Sequence, residues 1–128
     1  MILIDTDVLV ECLRGSTDAK TWLGTLHKDA FGIPGVVAME LLIGCRNHAD
    51  LQQVQRFLNS FNVTWPESFE FAQGYNLLAS LHLSSGLGIP DCIIAAMALA
   101  RGARLYTFNL KHFVVVPGLD AQQPYPLP

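Results

Sequence analysis

Three carboxylates stand almost alone in apolar surroundings. Asp5 ends the apolar run Ile2-Leu3-Ile4, Glu40 is the only charged residue between Asp29 and Arg46, and Asp91 is the only fully charged one between Glu70 and Arg101. A carboxylate buried without a partner costs several kcal/mol or shifts to its neutral form, so such positions call for a cation or for good hydrogen bonds. The 8 Lys and Arg residues fall mostly at expected helix ends and outer faces, which leaves few of them for internal ion pairs. A divalent ion is the economical partner. Oxygen donors from Asp and Glu select hard ions, Mg²⁺ or Mn²⁺, and no His or Cys grouping has zinc spacing. Such ions, one or two of them, lower the pKa of a bound water, set it in line with a phosphodiester and neutralise charge on the phosphoryl oxygens.

Each acid also has a plainer role. Asp5 or Thr6 is suited to cap a helix beginning at Asp7, and Asp91, following Pro90, is suited to cap the helix it opens. Glu40 has no cap to serve in mid-helix, and its plain alternative is to reach the surface from a helix less buried than its composition implies.

The elements that must position these acids read as strands alternating with helices. Ile2-Leu3-Ile4 fits a short strand covered on both faces, as in a parallel sheet, where ligand chemistry collects beyond the strands' carboxyl ends. A first helix runs from Asp7 to Gly15, and a second, capped by Ser16 or Thr17, uses Trp22, Leu23 and Leu26 to about His27. Residues 30–34 read as strand two. Residues 35–45 are apolar nearly all round, which implies a helix buried on most sides, and residues 48–61 form an amphipathic helix on Leu51, Val54, Phe57, Leu58 and Phe61. A third strand at 62–65 is closed by Pro66. A long helix from Glu67 or Ser68 to about Leu83, a loop over 84–90 and an apolar helix over 91–100 follow. Arg104 to Thr107 reads as strand four, 108–112 as a loop and 113–116 as strand five. From about Pro117 the Pro-rich tail is expected to be extended and without regular structure. The pattern specifies an α/β three-layer sandwich with a mainly parallel central sheet, residues 1–128 forming one domain.

Composition bounds the function. The chain of 128 residues is 51% hydrophobic, ample for one core, and its mean hydropathy of +0.33 suggests apolar surface left over for a partner. A net charge of −3 argues against a generic basic nucleic-acid binder, so nucleic acid would have to be drawn in by metal and a local basic rim. Cys12, Cys45 and Cys92, without C-x-x-C spacing and within apolar helical patterns, read as reduced, buried thiols of a cytoplasmic protein. No stretch reads as a signal peptide or a membrane span.

Four stretches in order carry a resemblance: Ile4-Asp5-Thr6-Asp7-Val8-Leu9, Val37-Ala38-Met39-Glu40-Leu41, Pro90-Asp91-Cys92-Ile93-Ile94-Ala95-Ala96 and Leu105-Tyr106-Thr107-Phe108-Asn109-Leu110-Lys111-His112-Phe113. The chain resembles the PIN-domain ribonucleases and, within them, the VapC toxins of bacterial toxin–antitoxin pairs. The resemblance implies a metal-dependent endoribonuclease with Asp5, Glu40 and Asp91 as metal-binding acids, Mg²⁺ or Mn²⁺ as cofactor, and Thr107 and Asn109 lining the same pocket. It further implies an RNA substrate, a cognate antitoxin covering the site and a homodimer. Asn109 is the candidate to orient water or a ligand. Thr6, Asp7, Thr107 and His112 are secondary pocket candidates, and Arg14, Arg46 and Lys111 are candidate RNA phosphate contacts. Two residues depart from the family pattern: Asp7 stands where Asn is usual, and His112 where a further acid is common.

Two other readings compete. Asp5-Thr6-Asp7 is similar to the D-x-D motif of haloacid-dehalogenase-type phosphatases, with a nucleophile followed by a general acid, but that family needs a second acidic pair and leaves Glu40 unexplained. The other is a PIN-like binding module without catalysis, which the departure at His112 keeps open.

Overall fold

In a computed structural model, which describes residues 1–127, five short strands pair wholly in parallel in the order β3-β2-β1-β4-β5. They are β1 (Ile2–Ile4), β2 (Phe31–Pro34), β3 (Val63–Thr64), β4 (Arg104–Tyr106) and β5 (Ala121–Gln122). Helices α1 (Thr6–Leu13) and α2 (Thr17–Gly24) connect β1 to β2, α3 (Gly35–Ile43) and α4 (His48–Asn59) connect β2 to β3, and α5 (Ser68–Ser85) and α6 (Ile89–Arg101) cross to β4. The short α7 (Leu110–Phe113) precedes β5. Parallel neighbours require crossover connections, and these helices supply the covering layers. This is the α/β sandwich with a parallel central sheet that the alternation specified.

The strand order fixes where chemistry can occur. From β1 the chain builds outward through β2 to β3, then returns to place β4 on β1's other side. The order therefore reverses between β1 and β4, and the crevice beyond the carboxyl ends of strands at such a switch point is where open α/β sheets bind ligands. Asp5 and Thr107 follow those two strands, and the ladder continues past β1 through the Asp5 N–H donating to the Tyr106 carbonyl at 3.0 Å.

The core forms around the central strands. Leu3, Ile4, Leu105 and Ile33 are fully buried, as strands covered on both faces must be, and α6 contributes the buried run Cys92 to Ala98. Helix α5 approaches α6 closely at Gly74, where an added Cβ would meet the Cys92 carbonyl oxygen and Ile93 at 3.4 Å.

Several expected boundaries are corrected. Residues 113–116 are not a strand: Val114 and Val115 are exposed, and the fifth strand is Ala121–Gln122, which pairs with Leu105 and Tyr106 from within the tail expected to lack regular structure. Pro117 and Gly118, the latter at φ 77°, turn the chain back onto the sheet edge. The 108–112 loop is partly the helix α7. Pro128, the last proline of the tail, lies outside the described residues. Helix α2 ends at Gly24, and a 3₁₀ turn over Lys28–Ala30 follows. Helix α6 starts two residues before Asp91. Helix α3 is not buried on most sides, since Met39 and Ile43 are exposed, the latter at 82%. Cys45, half-buried, lies beyond the end of α3, whereas Cys12 and Cys92 are buried; all three are free thiols.

Nor is the interior free of ion pairs. Glu70, 1% exposed, accepts two hydrogen bonds from Arg101, at 2.8 Å each, and its Oε1 also accepts the Glu67 N–H at 2.8 Å. Arg101 further donates to the Trp65 carbonyl at 3.0 Å and to the Thr64 hydroxyl, which ties β3, α5 and α6 together.

Candidate active site

Asp5 does two things at once. Its Oδ1 caps α1 by accepting the Thr6 N–H at 2.8 Å, and its Oδ2 accepts the Thr107 hydroxyl at 2.8 Å. Thr107 is fully buried, and its oxygen in turn accepts the Asn109 N–H at 3.0 Å. One threonine therefore couples the end of β1 to the loop after β4. The capping role and a place in the acid cluster are compatible, because they use different oxygens.

Asp7 extends the same link. Its Oδ2 accepts the Phe108 N–H at 3.1 Å and lies 3.4 Å from the Thr107 hydroxyl, while its Oδ1 is buried with no hydrogen-bond partner among the described residues. Asp7 thus pins the loop that carries Asn109 and His112.

The other two acids come in from separate helices. Glu40, half-buried on α3, accepts the Thr6 hydroxyl at 2.8 Å, which joins α3 to the first turn of α1. Asp91 lies in the first turn of α6, but Gly88 is the cap residue and no side chain caps that end. The capping explanation for Asp91 therefore falls away. Its Oδ2 sits 3.3 Å from His112 Nδ1, and that nitrogen is 2.9 Å from Asn109 Nδ2. His112 is consequently in the acid neighbourhood, and not merely packed against its loop.

Electrostatics show what the cluster lacks. Burial first, then the charge of Asp7, with a smaller push from Asp91, raises the Asp5 carboxyl from 3.8 to about 7 against the hydrogen bonds from Thr107 and Thr6. Burial above all, and Asp91 besides, raises Asp7 also, against the N–H groups of Phe108 and Val8. No lysine or arginine stands among the leading causes of either shift. Carboxylates this close, with only neutral donors about them, form a donor set for a hard cation. Among the described residues no three His, Cys, Asp or Glu side chains cage an ion as they stand. Glu40 and Asp91 are engaged by Thr6 and His112. A hydrated Mg²⁺ needs only one or two protein carboxylates, with water completing its shell, and this cluster meets that requirement.

The basic candidates divide. Arg14 and Arg46, loosely paired with Glu11 at 3.5 Å and Asp50 at 3.7 Å, line one cavity of about 630 Å³ together with Glu40. Lys111 is exposed on α7. Sequence reasoning passed over Glu70 and Arg101, whose pairing belongs to the scaffold. The signal available was Glu70 standing three residues after Glu67 at a helix start. The Cys12 and Cys92 thiols are pushed up by burial, which keeps them protonated and unreactive.

The PIN domain family matches residues 2–118. Ribonuclease VapC19 of Mycobacterium tuberculosis is 36% identical over 130 residues, covering 98% of this chain and all of its own. Ribonuclease VapC10 of the same organism is 34% identical over 114 residues, covering 88% of this chain and 86% of its own. A toxin–antitoxin complex from Klebsiella pneumoniae contains a chain that aligns at a TM-score of 0.76 and 26% identity, over 99% of this chain and 100% of that one. The fold is shared at a TM-score of 0.84 and 21% identity with a chain of DNA-bound VapBC from Salmonella typhimurium, over 98% and 100% of the two chains. With a match over most of its length, and with motifs that meet at one end of the sheet, the chain belongs to the PIN-domain family.

Proposed function

We propose that this protein is the ribonuclease toxin of a toxin–antitoxin pair, and that it hydrolyses RNA phosphodiesters with the help of a divalent metal ion. The relatives named ribonuclease and the similarity to a toxin–antitoxin complex support the activity class and an antitoxin partner. The observation that supports the metal dependence is Asp5, a buried carboxyl raised to about 7 by burial and by its neighbours Asp7 and Asp91.

Asp5, Glu40 and Asp91 would hold the ion, Mg²⁺ or Mn²⁺. When bound, such an ion neutralises charge on the phosphoryl oxygens and acidifies a water. The chain's own residues do the positioning. Thr107 holds Asp5 in one rotamer through its hydroxyl, Thr6 does the same for Glu40, and Asp7 fixes the backbone that presents Asn109. Asn109, exposed, is available to orient water or a phosphate oxygen. Arg14 and Arg46, in the cavity shared with Glu40, and Lys111 supply positive charge for RNA phosphates in a chain that is otherwise acidic.

The phosphatase reading is not favoured, since the PIN domain family matches residues 2–118 and the relatives are named ribonucleases. Nor is a binding module without catalysis favoured, given relatives named as ribonucleases. We further propose a homodimer, which would cover some of the exposed apolar surface at Met39, Ile43 and Leu83.

The test is an RNA-cleavage assay with Mg²⁺, Mn²⁺ or chelator, run beside Asp91→Ala. Cleavage that needs the ion, leaves 5′-phosphate ends and is lost in the variant is the expected result; cutting that persists in chelator ends the metal mechanism.

A further inference from the structure

A row of four aromatic rings beside the site has no part in the mechanism above. Trp22 of α2 meets Tyr106 of β4 edge-on, with ring centroids 5.0 Å apart. Tyr125, in the tail beyond β5, lies 6.5 Å from Trp22 and meets Phe108 edge-on at 5.2 Å and 77°. It is thus the ring that joins the α2 pair to the loop after β4. Its buried hydroxyl lies near Ser16, the cap of α2, yet has no hydrogen-bond partner among the described residues. Its side-chain contacts are therefore those of the ring. The tail also grips the loop through its backbone. The Gln122 carbonyl accepts the Thr107 N–H at 2.9 Å, and Gln123 Nε2 closes the bend at Pro124 by donating to the Tyr125 carbonyl at 2.9 Å.

From this row we propose that Tyr125 is a positioning residue of the site, which acts through Phe108 to hold residues 107–109 in place. The inference rests on the reading of the acid cluster as an RNA-cleaving site. Three N–H groups fix the backbone there, donating from Thr107 to the Gln122 carbonyl, from Phe108 to Asp7 Oδ2 and from Asn109 to the Thr107 hydroxyl. The Phe108 side chain leaves from the middle of that segment. A ring free to swing would loosen the bond to Asp7 on one side and the Asn109 amide on the other. An edge-to-face neighbour restricts that freedom, because the positive edge of one ring and the negative face of the other prefer one mutual orientation. The effect reaches the pocket through Asn109, whose Nδ2 lies 2.9 Å from His112 Nδ1, itself 3.3 Å from Asp91.

The test compares the purified full chain with Tyr125→Ala, Tyr125→Leu and Tyr125→Phe, each confirmed as folded by circular dichroism. Amide hydrogen exchange, residue by residue and without added ion, reads local opening of the loop, and RNA cleavage reads kcat and KM. Tyr125→Ala is expected to speed exchange at Phe108 and Asn109 by about tenfold while the amides of β1 stay as in wild type. Its kcat is expected to fall by about tenfold with KM little changed. Tyr125→Leu, which keeps apolar bulk without a ring, is expected to show the same pattern and serves where the Ala variant does not fold. Tyr125→Phe keeps the ring and is expected to match wild type in both readouts. In a Phe108→Ala background Tyr125→Ala is expected to add little, as for residues acting through one contact. Exchange that is unchanged at Phe108 and Asn109, or faster by the same factor throughout the chain, overturns the inference. So does normal cleavage by a variant whose loop has loosened. A wild type that cleaves no RNA overturns the proposed function and this role with it, whereas failure of the Tyr125 predictions alone leaves that function standing.

Discussion

At the scale of single residues, the cost of the site is concentrated in Asp5. Its carboxyl binds a proton more tightly in the folded chain, near pH 7, than in the unfolded chain, near 3.8, so in that window the folded state holds more protons. Stability of the metal-free protein therefore falls as pH rises through the window, by up to about 4 kcal/mol from this group, and the raised Asp7 adds in the same direction. Asp5→Asn keeps an oxygen to cap α1 and removes the charge. It is expected to stabilise the metal-free protein at pH 8 by about 2 kcal/mol, to flatten the pH dependence, and to lower RNA cleavage by on the order of a hundredfold or more. Urea unfolding at pH 5 and pH 8, beside the cleavage assay, checks all three. A variant more stable and less active than wild type marks a residue kept for chemistry at the expense of the fold.

At the scale of elements, the clamp of Glu70 and Arg101 does the opposite work. The Arg101 guanidinium holds the Glu70 carboxyl below its usual range, so its contribution is present above about pH 4.5 and is lost as pH falls through the lowered value. Glu70→Gln or Arg101→Met, each leaving a buried partner behind, is expected to cost about 3–5 kcal/mol in urea unfolding, whereas Glu70→Leu with Arg101→Met costs far less. Neither residue was conspicuous in the sequence, because Glu70 follows Glu67 at a helix start and Arg101 ends a helix, both ordinary surface positions. What could be read were elements whose signal is local: Ile2-Leu3-Ile4 before Asp5, the apolar run around Glu40, and the helix of Asp91. The fifth strand could not. Val114, Val115 and Val116 have the stronger β-propensity, yet only Val116 is buried, and Ala121–Gln122 pairs with β4 because the turn at Pro117 and Gly118 delivers it to the open edge. Propensity ranks segments, but an edge already in place chooses between them. The candidate acids stand out in the sequence for the same local reason. The Thr107 hydroxyl bridge and the approach of His112 to Asp91 were not, since each depends on a register that a single sequence leaves open.

At the scale of the whole molecule, the proposed ion and the fold would support each other. A cation that binds only the folded chain adds about 2.7 kcal/mol at a hundred times its dissociation constant. It also displaces the Asp5 proton, so binding is expected to tighten between pH 6 and pH 8, where the metal-free protein is weakest. Thermal unfolding with Mn²⁺ at the two pH values reads this directly: the increase in Tm is expected to be larger at pH 8, and an equal increase at both separates the ion from Asp5.

The Thr107 hydroxyl reaches Asp5 across 102 residues of chain, because β4 is the last strand to join β1. Synthesis exposes a chain from its N-terminus, so Asp5, Glu40 and Asp91 all emerge before the strand that gathers them. A nascent or prematurely ended polypeptide thus carries the three candidate acids without the Thr107 hydroxyl that holds Asp5 at the end of β1.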